Sequence, residues 1–417
     1  MLWATRFGRV AQAAAWGGFM VACGAAPEKP KSKPVEPPEV REAAMVSKAC
    51  DAGKVASCAK LAALVRDGRG TEKDDARASE LFGRACDAEL GEACVELSVM
   101  LDEGRGVVAN DERATTIFER ACEAKTASAC RNLAFLLEKG RGVAKDEARA
   151  LTLFEQACTG DDAVACNAFG LHLEAGRGVA KDEGRAAEAY GKACTAGKAV
   201  ACANLGFLHE RGRGVAKDEA RAAELYRKAC DGDVANGCNE LGALVREGRG
   251  IAKDDDLAAK LHARSCELGN ATGCNNLGYA FEKGRGVAKD ENRAAELYRK
   301  ACDAGEVIGC GNLGDLLVHG HGVAMDEARG AALYAKGCDA GLGVWCKKLG
   351  LLHEIGSGVD KDLAKAAAYF RKACDAGDAK ACEKFRPASK PEAAEDDEPA
   401  DKKPDEGDGQ PASAGAR

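Results

Sequence analysis

The sequence predicts an all-α protein, an α/α solenoid of nine 36-residue helix-turn-helix repeats stapled by disulfides. Three observations predict this fold: cysteines recur in pairs with a period of 36 residues, apolar residues between them recur at helical spacing, and helix start and stop signals alternate along the chain. A 36-residue unit has room for two short helices and two turns but cannot bury its apolar face without neighbours. We therefore expect one elongated array.

Composition excludes one class of partner and explains the use of cysteine. The 417-residue chain has a formal net charge of -7, with acidic and basic residues interspersed throughout the repeats. No basic face emerges when the repeats are aligned, so nucleic acid is not an expected partner. Aromatic residues make up 5% of the chain, which leaves a thin core in each layer and makes disulfides useful.

Residues 1–22 are predicted to be a signal peptide, because Arg6 and Arg9 precede a modestly apolar stretch. The segment 20–23, Met-Val-Ala-Cys, resembles a lipoprotein lipobox, so we expect Cys23 to carry a lipid anchor. Ordinary secretory cleavage is the alternative. The expected location is the bacterial cell envelope, as an outer-membrane lipoprotein, which Gly24 favours, or as a periplasmic or secreted protein.

Two polar segments are predicted to flank the array. Residues 23–38 contain five prolines among charged residues, which is typical of an extended tether. Residues 387–417 are rich in Pro, Asp, Glu and Lys and are expected to form a disordered charged tail. The array itself is assigned to residues 39–386, with nine full repeats between a leading helix and a trailing stub.

The first helix of each repeat is predicted from the residues that follow the second cysteine of a pair. A leucine or phenylalanine comes three residues later, and a small residue comes four residues later, which lets another helix approach closely. The small column contains Gly170, Gly206, Gly242, Gly278, Gly314 and Gly350. A Gly-x-Gly segment, such as Gly140-Arg141-Gly142, is a strong helix stop.

The second helix is predicted to begin at an aspartate or asparagine N-cap. These caps are Asp74, Asn110, Asp146, Asp182, Asp218, Asp254, Asp290, Asp326 and Asp362. Its core face comprises an alanine column, an aliphatic-aromatic pair such as Leu225 and Tyr226, and then a cysteine. Apolar residues thus recur at i, i+3, i+4 and i+7, as in an amphipathic helix.

Twenty of the 21 cysteines fall in pairs eight residues apart. The pairs are Cys50 and Cys58, Cys86 and Cys94, Cys122 and Cys130, Cys158 and Cys166, Cys194 and Cys202, Cys230 and Cys238, Cys266 and Cys274, Cys302 and Cys310, Cys338 and Cys346, and Cys374 and Cys382. Up-down helices permit a disulfide within each pair or one between cysteines 28 apart, but only the local scheme uses all twenty, so we favour it. Zinc is the weaker alternative because neighbouring pairs lie a full repeat apart.

The repeat motif resembles a known family. Residues 201–218, Ala-Cys-Ala-Asn-Leu-Gly-Phe-Leu-His-Glu-Arg-Gly-Arg-Gly-Val-Ala-Lys-Asp, and 221–230, which end in Lys-Ala-Cys, look like a Sel1-like repeat, and the paired cysteines point to the Helicobacter cysteine-rich protein subfamily. The resemblance implies a right-handed α/α superhelix related to tetratricopeptide arrays, disulfides between cysteines eight apart and a mostly protein-binding role. Some members of that subfamily are described as β-lactamases or penicillin binders.

The chain offers little support for catalysis. A serine β-lactamase needs Ser-x-x-Lys with Ser-Asp-Asn and Lys-Thr-Gly elements, and this chain has only Ser57-Cys58-Ala59-Lys60. We expect Ser57 to be a helix N-cap instead. We predict no catalytic residue, no cofactor and no metal site, because the six histidines occupy different columns except for His209 and His353, which lie four repeats apart. They are His172, His209, His262, His319, His321 and His353.

One arginine recurs in the loop after the first helix. The column comprises Arg69, Arg105, Arg141, Arg177, Arg213, Arg249 and Arg285. We expect each arginine to lie near the carboxylates that follow it and to stabilise the turn. Anion binding along this edge is the alternative.

The predicted partner-binding residues lie on the first helix at positions two, five and nine after the second cysteine. They are Asn132, Asn204, Asn276, Asn312, Phe135, Phe207 and Tyr279. In Sel1-like arrays the first helix lines the concave face, where asparagine amides suit an extended peptide backbone. The alternative is that these aromatics belong to the core between repeats and the asparagines satisfy neighbouring backbone groups.

These observations favour an exported, non-enzymatic scaffold that binds a protein or peptide ligand on its concave face and reaches the membrane through the lipid on Cys23. A β-lactamase or penicillin-binding hydrolase is the alternative function.

Overall fold

The computed structural model describes residues 36–385, whose regular structure is entirely helical. Nine first helices are α2 (Val55–Asp67), α4 (Gly91–Glu103), α6 (Ala127–Lys139), α8 (Ala163–Ala175), α10 (Ala199–Arg211), α12 (Ala235–Glu247), α14 (Ala271–Lys283), α16 (Val307–His319) and α18 (Gly343–Ile355). Nine second helices are α3 (Asp75–Asp87), α5 (Asp111–Glu123), α7 (Glu147–Thr159), α9 (Glu183–Thr195), α11 (Glu219–Asp231), α13 (Asp255–Glu267), α15 (Glu291–Asp303), α17 (Glu327–Asp339) and α19 (Leu363–Asp375). The leading helix α1 (Pro38–Asp51) precedes them, and α20 (Ala379–Phe385) follows them.

The predicted fold class is confirmed: the chain is an all-helical array of nine helix pairs. Each helix packs on the next one along the chain, and first helices of neighbouring repeats also touch, as α4 touches α6 and α12 touches α14. The predicted signal peptide, Cys23, almost all of the tether and the tail lie outside the described residues. Within residues 36–385, no helix is long and apolar enough to cross a bilayer.

The predicted caps of the second helices are present. In all nine, the Asp or Asn side chain accepts a hydrogen bond from the backbone N–H three residues on, as Asp218 does from Arg221 at 2.8 Å. The N-cap prediction for Ser57 is wrong. Helix α2 already begins at Val55, because the backbone N–H groups of Ser57 and Cys58 both donate to the Lys54 carbonyl.

The Gly-x-Gly loops end the first helices and dock each repeat on the one before it. Gly212 and Gly214 have φ values of 66° and 68°, a region that favours glycine. A Cβ at Gly214 would clash with the backbone carbonyl group of Glu183, which is the first residue of the preceding second helix. The second glycine of the loop is therefore required by the stacking of repeats.

The glycine column of the first helices makes room for a ring from the second helix. A Cβ at Gly206 would come within 3.0 Å of the Tyr226 ring, and one at Gly278 within 2.9 Å of the Tyr298 ring. Both tyrosines are almost completely buried. The close approach of the two helices in a repeat thus depends on the absence of a side chain at this column.

Disulfides join the end of each odd-numbered helix, from α1 to α19, to the start of the next. All ten link cysteines eight apart, as the local pairing scheme requires, with Cα–Cα distances of 4.5–4.7 Å. The bridges join Cys50 to Cys58, Cys86 to Cys94, Cys122 to Cys130, Cys158 to Cys166, Cys194 to Cys202, Cys230 to Cys238, Cys266 to Cys274, Cys302 to Cys310, Cys338 to Cys346, and Cys374 to Cys382. Each bridge closes the short turn between consecutive repeats, so these twenty cysteines belong to the scaffold.

Candidate functional site

The candidate site is the first-helix face, which comprises the positions two before and two, five and nine after the second cysteine of each repeat. These positions are spaced as i, i+4, i+7 and i+11 and form one helical stripe. Among residues 36–385, thirteen large apolar side chains are exposed. Seven of them lie on this face: Leu171, Val200, Phe207, Ile308, Val344, Leu351 and Ile355.

The predicted asparagines lie half-buried on this face, and three of them are paired across repeats. The Nδ2 groups of Asn204, Asn276 and Asn312 donate to a side-chain oxygen of the preceding first helix. The acceptors are Asn167 at 3.1 Å, Asn239 at 2.9 Å and Asn275 at 2.8 Å, respectively. Each donor keeps a second N–H and its own carbonyl, so pairing orients the amide without exhausting it.

The acceptor asparagines were not predicted to be part of the face, although their spacing in the sequence indicates them. Each occupies the position directly after the second cysteine, and each is followed 37 residues later by another asparagine. Asn132 lacks such a partner because Val95 precedes it in this register, and its Oδ1 accepts instead from Arg131 Nε at 3.2 Å.

The three predicted aromatic residues divide into two kinds. Phe135 is half-buried and packs edge-on against Phe154 of its own repeat, with ring centroids 4.9 Å apart. Phe207 is 37% exposed and has the guanidinium groups of Arg211 and Arg213 at 5.7 and 5.4 Å from its ring. Phe135 therefore has a packing role, whereas Phe207 presents its surface to solvent between two cations.

Tyr279 resembles Phe207. Its half-buried ring has Lys283 Nζ at 5.9 Å and the Arg285 guanidinium at 5.2 Å from its centroid. Two repeats apart, the face thus carries the same arrangement of an aromatic ring flanked by two basic groups.

A hydrogen-bond network that the sequence did not reveal supports the face from below. Tyr190, Tyr226 and Tyr298 on the second helices donate from their hydroxyls to Glu174, Glu210 and Glu282, at 2.9, 2.9 and 2.7 Å. Each acceptor lies eight residues after the second cysteine of the same repeat. Burial, followed by the charge of the neighbouring glutamate, raises the pKa of Tyr190 and Tyr226, which keeps these hydroxyls protonated as donors.

Five of the seven loop arginines pair with carboxylates that precede them, so the prediction that they lie near following carboxylates is wrong. Arg213 lies 2.6 Å from Glu183 and 3.3 Å from Glu174, and Arg249 lies 2.5 Å from Glu210. The reason is stacking, because each loop docks on the preceding repeat. Hydrogen bonding to Arg213, together with Lys181, lowers the pKa of Glu183.

Shallow depressions lie between successive first helices. One of about 340 Å³ is lined by Asn132, Phe135 and Lys139, among others. Another of about 260 Å³ is lined by Asn204, Phe207 and Glu240. The positions two and five after the second cysteine therefore line a depression at each of two repeat boundaries, from the following helix in the first and from the preceding helix in the second.

Neither the serine motif nor the histidines build a catalytic arrangement. Lys60 Nζ lies 2.7 Å from Glu42 Oε1, so its charge is engaged by a carboxylate of α1. Over residues 36–385, no three His, Cys, Asp or Glu side chains converge on a position that could hold a metal ion.

Nine consecutive segments of the chain match the family model described as Sel1 repeat. They are residues 55–90, 91–125, 127–162, 163–198, 199–234, 235–270, 271–306, 307–342 and 346–378. No curated protein matches the chain.

Several solved structures are similar. One is c5321, a protective antigen present in uropathogenic Escherichia coli strains displaying an SLR fold; it is 26% identical, covers 82% of this chain and 81% of its own, and has a TM-score of 0.66. A Sel1 repeat protein from Oxalobacter formigenes is 27% identical over 58% of this chain and 96% of its own, with a TM-score of 0.54. Helicobacter pylori cysteine rich protein B is 31% identical over 30% of this chain and 91% of its own, with a TM-score of 0.26.

Proposed function

The chain belongs to the Sel1 repeat family, and on that premise we propose that it is an exported, non-enzymatic scaffold that binds extended peptide segments of partner proteins along its first-helix face. Sel1 repeat solenoids generally serve as protein–protein interaction scaffolds. Contacts would be shallow and repeated along a preordered array, so affinity would accumulate over several repeats.

The observation that carries the proposal is the concentration of exposed apolar side chains on one helical stripe. Isolated exposed apolar residues are ordinary, but exposed apolar residues grouped on one face mark an interaction surface. Here they form two groups, one on α8 and α10 and one on α16 and α18. Seven of thirteen such residues in the described part of the chain lie on this face, next to asparagines that keep one N–H beyond the bond to the preceding repeat. Contact between neighbouring first helices supports placing this face on the concave side of the superhelix.

Export and anchoring belong to the same proposal. Residues 1–22 would be removed, Cys23 would carry lipid, residues 23–38 would hold the array away from the membrane, and residues 387–417 would remain a solvated tail. Ten disulfides support an oxidising compartment, since cytosolic thiols are kept reduced. Mass spectrometry of the mature N-terminus checks this: an unlipidated terminus, or one at Met1, would contradict it.

A peptide selection tests the binding face. The oxidised full-length chain is used to select binders from a displayed library of extended peptides. The affinity of one selected peptide is then measured for the wild type, for Phe207→Ala/Tyr279→Ala and for Met325→Ala/Leu363→Ala. The control pair is equally apolar and more exposed, at 66% and 63%, but lies outside the face.

We expect the first pair of substitutions to weaken binding at least tenfold, on the order expected for the loss of aromatic anchors. The control pair should leave affinity unchanged. The proposal fails if both pairs weaken binding equally or if only the control pair does.

A further inference from the structure

One repeat departs from the buried network that supports the face. His262 on α13 occupies the position that tyrosine or phenylalanine occupies in the other second helices, and it packs on Gly242 in the same way. The residue is 2% exposed, and neither ring nitrogen has a hydrogen-bond partner. A buried polar group without a partner is costly, so a ligand or a water is needed to satisfy it.

The carboxylate that this network has elsewhere is missing. Arg246 stands where Glu210 and Glu282 accept from tyrosines in the neighbouring repeats. Its ion pair is with the adjacent Glu247, at 2.8 Å. His262 and Arg246 do not rebuild the tyrosine–glutamate hydrogen bond, because neither ring nitrogen of His262 has a hydrogen-bond partner.

The first repeat also has an arginine eight residues after its second cysteine, and there a carboxylate lies opposite it. Arg66 lies 2.6 Å from Glu96, which is supplied by the following first helix. The residue equivalent to Glu96 opposite Arg246 is Asn276. The loop residue Arg285 forms no ion pair within residues 36–385; its guanidinium lies over Tyr279.

The groups enclose a small cavity between α12, α13 and α14. It has a volume of about 10 Å³ and is lined by Arg246, His262, Asn276 and Arg285, together with Asp255 and the Tyr279 ring. This volume accommodates about one water-sized group. Asp255 is the one acid among the lining residues; its Oδ1 is buried and unpartnered, and its Oδ2 lies 3.6 Å from Lys253 outside the cavity. Two guanidinium groups therefore face a single carboxylate.

We propose that this His262 cavity binds one carboxylate group, with one oxygen in the cavity and the other towards the first-helix face. The guanidinium groups of Arg246 and Arg285 supply the charge, and the His262 N–H and the Asn276 amide supply further donors. One added carboxylate supplies the counter-charge that Arg285 lacks, since Arg246 is paired with Glu247 and Asp255 lies beside Lys253. The carboxylate comes from an Asp or Glu side chain or the C-terminus of the bound peptide, and only this source rests on the proposed function.

The experiment uses the full-length oxidised chain and NMR signals of the His262 imidazole nitrogens and of arginine Nε–H groups. Sodium acetate is the first probe. We expect saturable shifts at His262 and Arg285 with a dissociation constant of about 1 mM, which is reasonable for a four-atom ligand. Arg66, whose counter-charge is present, is an internal control and should not respond.

Two variants control for nonspecific effects. Arg246→Gln should weaken acetate binding about tenfold, since one charge-assisted contact is lost. Arg246→Glu/His262→Tyr rebuilds the pair seen between Tyr226 and Glu210, so it should fold normally and lose the acetate response of Arg285. Undiminished acetate shifts in either variant, or equal shifts at Arg66, would overturn the proposal. Imidazole signals of the wild type that acetate leaves unchanged would also overturn it, because the cavity would then hold only water.

A second arm identifies the source of the carboxylate. The probes are acetyl-Ala-Ala-Glu-Ala-Ala-amide and the same peptide with Gln in place of Glu. We expect the Glu peptide to bind about tenfold more tightly than acetate, because the face also contacts its backbone, and the Gln peptide not to shift His262. If acetate binds but the two peptides behave alike, the carboxylate site stands and its peptide source is wrong.

Discussion

One position in the second helices shows how single residues set local chemistry in this array. Tyr226 is buried with its hydroxyl bonded to Glu210, whereas His262, 36 residues later, is buried without a partner. Burial, with a contribution from Arg246, lowers the pKa of His262 to about 4. The groups that face it are Arg246, Asp255 and Arg285.

This lowered pKa predicts a pH-dependent stability. The unfolded chain binds a proton at His262 near pH 6.5, but the folded chain does so only near pH 4, so the folded state loses stability as the pH falls through this window. The loss is roughly 3 kcal/mol at its largest. Urea unfolding at pH 7 and at pH 4.5 should show a smaller acid-induced loss for His262→Phe than for the wild type. Identical pH profiles would contradict the assignment.

Two glycines on helices predict opposite effects of the same substitution. Gly278→Ala places a methyl group 2.9 Å from the Tyr298 ring and should destabilise the protein by about 1–3 kcal/mol through overpacking. The methyl group added by Gly83→Ala, on α3, has no neighbour within 4 Å. This substitution should stabilise the protein by up to about 1 kcal/mol, because glycine within a helix costs backbone entropy. Thermal unfolding of the two variants compares them directly, and a shift of the same sign in both would refute the packing argument.

At the scale of elements, local signals were predictable and contacts between repeats were not. The N-cap Asp218 depends on chemistry within a few residues, so its role follows from the sequence. The partners of Arg213 depend on which neighbour the loop docks against, and spacing along the chain does not reveal this. Ser57 failed as a cap because the helix starts earlier, in the turn that the disulfide closes.

The candidate site was predicted only in part, because contacts between repeats do not follow from spacing along the chain. Helical spacing placed Phe207 and Tyr279 on one stripe, but only the structure separates them from Phe135, which packs on Phe154. The hydrogen bond between Asn204 and Asn167 joins two adjacent repeats, so predicting it requires the register in which their first helices pack.

The disulfides predict a difference between central and terminal elements. Removing Cys230 and Cys238 by substitution with alanine should lower the free energy of unfolding by about 2–3 kcal/mol, because a short loop in the unfolded chain is no longer closed. Removing Cys374 and Cys382 should mainly fray the seven-residue helix α20, which packs chiefly on α19 and has no later helix beside it within the described residues. Urea unfolding and amide exchange of both variants check this, and equal losses of global stability would contradict it.

Mass spectrometry of the nonreduced digest tests the pairing itself. The expected products join cysteines eight apart in all ten pairs. A peptide linking Cys58 to Cys86 would contradict the pairing in the structure.

At the scale of the whole molecule, regular stacking turns a stripe on one helix into a long surface. Each first helix repeats the same positions, so exposed side chains from Leu171 to Ile355 fall on one face of the array. The disulfides between repeats restrict bending at the connections, so the array loses little conformational entropy when a partner binds. The His262 cavity adds a single charged position to an otherwise shallow surface.

Oxidative footprinting of the full-length chain, with and without a selected peptide, tests the binding face most directly. Hydroxyl radicals modify exposed side chains, so Phe207, Tyr279 and Leu351 report on the face, and Met325 and Leu363 report on the rest of the surface. We expect saturating peptide to protect the first set and to leave the second unchanged. Protection of Met325 and Leu363 with unaltered labelling of Phe207 and Tyr279 would contradict it.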